Sequence, residues 1–307
     1  MAEAAFLARL KTIATHPAAR GLMDDAAVLS LKGPGDLVLT HDMIVEGVHY
    51  LPTDPPADVA WKLLAVNLSD LAAKGATPEG VLFGYPLGDP DWDAAFVDGL
   101  GAALAHFAVP LLGGDTVSAP AGAPRMIGLT AIGRSSLAPD RRGARAGDDL
   151  WLAGAIGEAG AGLAIARGAD GPAALLDVYR RPRPLLAQGR RLAPYAHAMA
   201  DVSDGLLIDA GRIAAASGVA VAIDLEAVPR SAALSAFAGS DRAARLAAVT
   251  AGDDYALILA ADPASADAIA ALGIGASRIG RFVRGDGLTL TDRTGAVPLP
   301  ASLGWEH

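Results

Sequence analysis

The sequence predicts a two-domain chain of mixed α and β structure, α+β (α/β mixed), and three observations carry that expectation. Its 307 residues, 52% of them apolar, are enough to bury a core in each of two ordinary domains. The stretch 135–149, rich in Arg, Gly, Ala and Asp, separates two apolar, periodically patterned regions and sets a boundary near residue 140. The expected domains are therefore 1–138 and 139–307. Each of them interleaves short β-type runs with helical patterns, and no fixed-period repeat is visible.

Taken in order, Asp24-Asp25 precedes Ala26-Ala27-Val28-Leu29, an apolar run suited to begin a strand. The runs 37–40, 109–112 and 126–132 read as further strands bounded by turn residues. Between them a helix is expected to open at Asp54-Pro55, a capping residue followed by proline at the first helical position, and to stop at Gly75. Trp61, Leu64, Leu68 and Leu71 form its apolar stripe. In the second half, strands are expected near 150–152, 219–223 and 255–259, with helices near 159–166, 206–216 and 264–272.

Composition narrows function. A net charge of -9 with no Lys/Arg-rich run opposes sequence-independent binding to nucleic acid. The start, Met1-Ala2-Glu3-Ala4-Ala5, lacks a basic region followed by an apolar core, and no long uncharged span suits a bilayer, so a cytoplasmic protein without membrane contact is expected. Zero cysteines exclude disulfides, thiolate zinc sites and a cysteine nucleophile, and the six histidines do not cluster at ligand spacing. The carboxylates remain.

Several of them stand at junctions between apolar runs and turns. Taken alone, Asp24-Asp25 reads first as a turn or cap, and Asp42, with Glu46 and His49 just beyond, as part of a strand-end loop. Asp70 lies inside the first helix, sharing a face with Asn67 and Lys74; a solvated Asp70–Lys74 pair is the plainer alternative. Leu111-Leu112-Gly113-Gly114-Asp115-Thr116 is a strand entering a double glycine, suited to close approach of a phosphate or to a tight turn. It lacks the Gly-Lys-Ser/Thr ending of a Walker loop. In Asp201-Val202-Ser203-Asp204-Gly205-Leu206 a strand gives way to a helix, which Ser203 or Asp204 could cap. Gly252-Asp253-Asp254-Tyr255 precedes a strand. Converging carboxylates about 4 Å apart repel by about 4 kcal/mol at an effective dielectric near 20, and hard divalent cations relieve this. A magnesium–nucleotide complex is the ligand such a set suits.

These segments, together with Thr40-His41-Asp42, Gly47-Val48-His49 and Asn67-Leu68-Ser69-Asp70-Leu71-Ala72-Ala73, resemble the thiamine-monophosphate kinases. That family lies within the superfamily of aminoimidazole ribonucleotide synthetase and selenophosphate synthetase. The resemblance spans nearly the whole chain. It implies an N-terminal domain whose mixed sheet pairs with that of a second subunit to close a β-barrel across a homodimer, and a C-terminal α/β domain completing the ATP and substrate site. It implies that Asp25, Thr40, Asp42, Asp70, Asp115 and Asp201 bind magnesium ions and Asp204 another. Gly114, Asp115, Arg141 and Ser203 would bind ATP, and His49, Asp253 and Trp305 thiamine monophosphate. The chain departs from its relatives at Met23, where glycine is usual, at His41, where Thr or Ser is usual, and at Asp253, where Glu is usual.

The implied reaction needs no protein nucleophile. An acceptor phosphate oxygen attacks the γ-phosphorus of ATP in line, giving thiamine diphosphate and ADP, and positioning with charge neutralisation supplies the catalysis. The rivals are another ATP-dependent enzyme of the superfamily acting on a purine precursor, and a non-catalytic nucleotide- or cation-binding module. Selenophosphate synthesis is disfavoured by the lack of any cysteine.

Overall fold

The computed structural model describes residues 2–17, 34–120 and 122–306. Asp24, Asp25, Met23 and the expected strand at 26–29 lie outside the described residues. The chain divides into two compact units, Met1–Leu71 with Thr77–Ser136, and Ala72–Ala76 with Leu137–His307.

Unit 1 contains, in order, α1 (Ala2–Ile13), β1 (Asp36–Val45), α2 (Pro56–Ala73), β2 (Thr77–Leu87), α3 (Pro90–Phe107), β3 (Leu111–Ser118) and β4 (Met126–Ser135). The last residues of α2 fall in the second unit. The four strands form one mixed sheet in the order β1-β4-β2-β3, with β1 and β3 outermost among the described residues. Leu64, Leu68 and Leu71 of α2 are fully buried, as the apolar stripe demands, while Trp61 is half-buried and meets the rings of His106 and Phe107. The helix starts one residue later than expected, because the Pro55 carbonyl takes the first turn's bonds and Asp54 instead accepts from the Leu51 amide at 2.8 Å.

The opposite face of this sheet exposes apolar side chains. On β1 the even positions from Val38 to Ile44 are half-buried or buried, whereas Leu37, Leu39 and Met43 are exposed, Leu39 by 62%. Val117 on β3 and Met126 on β4 are exposed as well.

β2 and β3 are among the strands that differ from expectation. β2 carries Pro78, Gly80, Gly84 and Pro86, residues that break most strands, and its ladders shift register at 78/80 and at 81/82 to accommodate them. β3 does not turn at Gly113-Gly114 but continues to Ser118, paired parallel to β2. Gly114 is needed for contact between strands: a Cβ there would stand 2.1 Å from the Phe83 carbonyl oxygen.

Unit 2 contains β5 (Asp149–Ala153), α4 (Glu158–Ala166), α5 (Ala173–Arg180), α6 (Leu186–Leu192), β6 (Ala196–Val202), α7 (Leu206–Ser217), β7 (Ala220–Asp224), α8 (Ala232–Ala238), α9 (Arg242–Val249), β8 (Ala256–Ala261), α10 (Ala266–Ala271), β9 (Ala276–Val283), β10 (Leu288–Asp292) and β11 (Gly295–Val297). Its seven-stranded mixed sheet runs β11-β10-β7-β9-β5-β8-β6. Period-two alternation sends Leu150, Leu152 and Ile258 to one core with Leu207 and Ile213 of α7, and Trp151, Leu257 and Leu259 to another with Leu192 and Ile269.

Replacing Gly114 by Ala is expected to destabilise the chain by roughly 1–3 kcal/mol without ligand, because β3 must move off β2. Denaturant unfolding of the free protein checks this.

Candidate functional site

In unit 1 the polar side chains singled out above meet where β1 lies against α2. Thr40 and Asp42 are two residues apart on one strand, so both project from its half-buried face. The Thr40 hydroxyl donates to the Asp70 carboxylate. Asp42 does not sit in a strand-end loop, since β1 continues past it to Val45. β1 is outermost among the described strands, and the Asp42 amide donates to Asn67 Oδ1 at 2.9 Å, while Asn67 Nδ2 donates to the Leu63 carbonyl at 3.0 Å. Asn67 is wholly buried and works as a brace between strand and helix.

His49 is fixed from both sides. Its Nδ1 accepts from the Val45 amide at 3.0 Å, and its carbonyl accepts from Lys62 Nζ at 2.9 Å. Lys62 is only 2% exposed, a buried cation spent on shaping this loop.

Asp115 is not brought to this group within one chain. Asp42 is aligned across the sheet with Leu129, Phe83 and Gly114, so Asp115 lies about 14 Å away, three strand spacings. It is exposed, and its Oδ1 accepts from the Thr116 amide at 2.9 Å.

Unit 2 gathers a second set. Asp201, 3% exposed, lies near the end of β6. Beyond it neither Ser203 nor Asp204 caps α7; the cap is Gly205, which offers no side chain. Asp209 in the first turn reaches back instead, its Oδ2 accepting from the amides of Ser203 at 3.1 Å and Asp204 at 3.0 Å. Burial pushes the Asp209 carboxyl above the usual range, opposed by those amides and by Arg212. Arg212 bridges Asp209 at 2.7 Å and also binds the Asp204 carboxylate. An acid inside an apolar helix start, Leu206-Leu207-Ile208-Asp209, was the signal available for this brace.

Two further segments close on the same loop. The Asp253 amide donates to the Ser203 carbonyl at 2.7 Å and the Trp305 amide to the Asp204 carbonyl at 2.8 Å. Gly304 permits the second contact, since a Cβ there would lie 2.4 Å from the Asp204 oxygen. Ser203, Asp204, Asp253 and Trp305 are thus neighbours. Arg141 is not: its carbonyl accepts from Ser217 at the far end of α7, about 18 Å along the helix axis from that loop.

Next to Asp253, Asp254 caps α4 from outside, accepting from the amides of Gly157 at 2.8 Å and Ala159 at 3.4 Å. Burial pushes its carboxyl up to about 8.

Among the described residues no three His, Asp or Glu side chains converge as a ready-made metal cage. The donors present are nevertheless all oxygen, and magnesium characteristically takes one or two carboxylates together with phosphate oxygens and water. Thr40, Asp42 and Asp70 fit that demand.

Residues 23–135 match the family model described as AIR synthase related protein, N-terminal domain, and residues 145–293 match its C-terminal domain. The thiamine-monophosphate kinase of Caulobacter vibrioides is 40% identical over 305 residues, 95% of this chain and 86% of that protein. That of Escherichia coli is 39% identical over 246 residues, 77% of this chain and 74% of the other. A crystal structure of the thiamine-monophosphate kinase from Stenotrophomonas maltophilia has a TM-score of 0.82 at 36% identity, covering 94% of this chain and 96% of that one. AaThiL complexed with AMPPCP and TMP has a TM-score of 0.79 at 28% identity, covering 88% and 87%.

The raised Asp254 pKa fixes the sign of one pH effect. Between about pH 4, where an unfolded Asp titrates, and about pH 8, the folded chain keeps a proton that the unfolded chain releases. Stability from this group is therefore full at the acid end and declines as pH rises to 8. Asp254→Asn, which keeps an oxygen acceptor for the α4 amides, is expected to flatten that decline in thermal unfolding followed across pH 5–8.

Proposed function

The chain belongs to the thiamine-monophosphate kinase family, built from the two AIR synthase related domains, and from that premise we propose that it transfers the γ-phosphate of ATP to thiamine monophosphate, giving thiamine diphosphate and ADP. It is a kinase, a phosphotransferase with a phosphate group as acceptor. The observation that carries this reading is 40% identity sustained over 95% of the chain with a protein of that activity. A neighbouring structure holding AMPPCP and TMP together supports ATP as co-substrate.

Magnesium, bound through Thr40, Asp42 and Asp70 in unit 1 and through Asp201 and Asp204 in unit 2, would neutralise the phosphate charge. Asp25 and Asp115 belong to the same proposed ligand set. Thr40 orients Asp70 through its hydroxyl, and Asn67 holds the strand on which Asp42 stands. Gly114, Asp115, Arg141 and Ser203 are assigned to ATP, with Arg141 adding a permanent positive charge near the phosphates. His49, Asp253 and the half-exposed ring of Trp305 are assigned to the acceptor, a flat heterocycle suited to stacking. With neither attacking nor leaving group supplied by protein, these residues act by holding two anions in line.

A homodimer is part of the proposal. The exposed apolar side chains Leu37, Leu39, Met43 and Val117, with β1 and β3 outermost among the described strands of the sheet, support its closure with that of a second copy. Among the described residues no helix is long and apolar enough to cross a membrane; a cytoplasmic setting completes the reading.

The deciding experiment measures ADP release with magnesium, offering thiamine monophosphate, thiamine and aminoimidazole-pathway intermediates in turn. Release confined to thiamine monophosphate is expected, and equal or better use of a purine precursor would sink the assignment. Asp70→Asn is expected to lower kcat/KM by roughly a hundredfold or more while the thermal transition persists. Leu39→Glu, placing a charge on the exposed apolar face, is expected to halve the mass seen by light scattering with the circular dichroism of the protomer retained.

A further inference from the structure

The segment joining α9 to β8 carries unusual backbone strain. Gly252, Asp253 and Tyr255 all have positive φ, at 77°, 64° and 51°. For a residue with a side chain this costs on the order of 1 kcal/mol, and an aromatic residue rarely accepts it. Such strain persists only where surroundings over-determine it. Here they do: the Asp253 amide is held by the Ser203 carbonyl at 2.7 Å, the Tyr255 amide by the Val202 carbonyl at 2.8 Å, and the intervening Asp254 is locked onto the start of α4. Gly252 is obligatory, because a Cβ would lie 2.9 Å from the Ser203 oxygen.

The conformation produces one specific contact. The Tyr255 hydroxyl donates to Asp253 Oδ1 at 2.8 Å, from a ring whose residue is only 8% exposed. In an ordinary strand the side chains at these two positions would project side by side; here the phenol closes over the carboxylate two residues before it. A short acid in a loop samples several rotamers, and a buried aromatic hydroxyl removes that freedom before any ligand arrives.

The geometry points to Tyr255 as a positioning residue for the acceptor: its hydroxyl sets the Asp253 carboxylate in the orientation that meets the cationic ring of the phosphorylated substrate. This rests on the acceptor role assigned to Asp253 above. The Tyr255 ring itself touches no substrate; it works through Asp253, while Trp305 closes the neighbouring side of the same loop through its amide to Asp204.

The test is steady-state kinetics of the unmodified enzyme, Tyr255→Phe, Asp253→Ala and the double variant, varying thiamine monophosphate and ATP separately and recording thermal midpoints. Tyr255→Phe is expected to raise the acceptor KM about tenfold, as loss of a hydrogen bond to a charged group does, with kcat and the ATP KM within about twofold and the midpoint little moved. In the Asp253→Ala background the same change is expected to do nothing more. The inference is overturned if Tyr255→Phe leaves the acceptor KM unmoved, if both KM values rise as the midpoint falls, or if the two substitutions multiply. An effect of Asp253→Ala without one of Tyr255→Phe sinks this inference alone. Should Asp253→Ala itself spare the acceptor KM, the role of Asp253 fails and this inference falls with it.

Discussion

A buried backbone amide must find an acceptor, and this requirement organises the functional regions of both units. At the outermost described strand, and where a strand gives way to a loop, the chain supplies an acceptor from a short polar side chain. Asn67 does so for Asp42 on β1, Asp209 for Ser203 and Asp204, and Asp254 for the start of α4. Each brace sits next to a residue assigned to ligand binding but stands outside that assignment. The division of labour is physical: a side chain whose oxygens are committed to amides is rigid, and its neighbours inherit that rigidity.

Glycine serves the same end by another route. Gly252 and Gly304 let two separate segments come within hydrogen-bonding distance of the loop after β6, and at each a Cβ would collide with that loop's carbonyls. The neighbourhood of Ser203, Asp204, Asp253 and Trp305 therefore depends on side chains being absent as much as on those present. Arg212 adds a fixed cation against Asp204 and Asp209, compensating two acids held close together.

Much of this was legible in the sequence. Helices with a clear apolar stripe, such as α2 and α7, and strands of unbroken β-branched or aliphatic character, such as β5 and β8, appeared where the pattern put them. β2 escaped because Pro78, Gly80, Gly84 and Pro86 mimic turn chemistry, and only the register shifts made by its partners admit them. The double glycine was ambiguous for a related reason: glycine permits close approach, and residues alone do not reveal that the Phe83 carbonyl is one of the groups that approaches. Asp70 and Asn67 were recognisable as a polar face on an apolar helix, whereas the roles of Lys62 and Asp209 depend on chain segments that sequence spacing does not place beside them.

Trp305 has a practical consequence. Of the four tryptophans in the chain, Trp151 is almost wholly enclosed at 6% exposure, while Trp305 stands 53% open to solvent on a loop tethered through its own amide. Its indole therefore emits from a polar surrounding and Trp151 from an apolar one, so the two contribute at different wavelengths. Occupancy beside Asp204 is consequently readable as a blue shift or quenching of the long-wavelength component, an optical signal native to the chain that requires no attached dye.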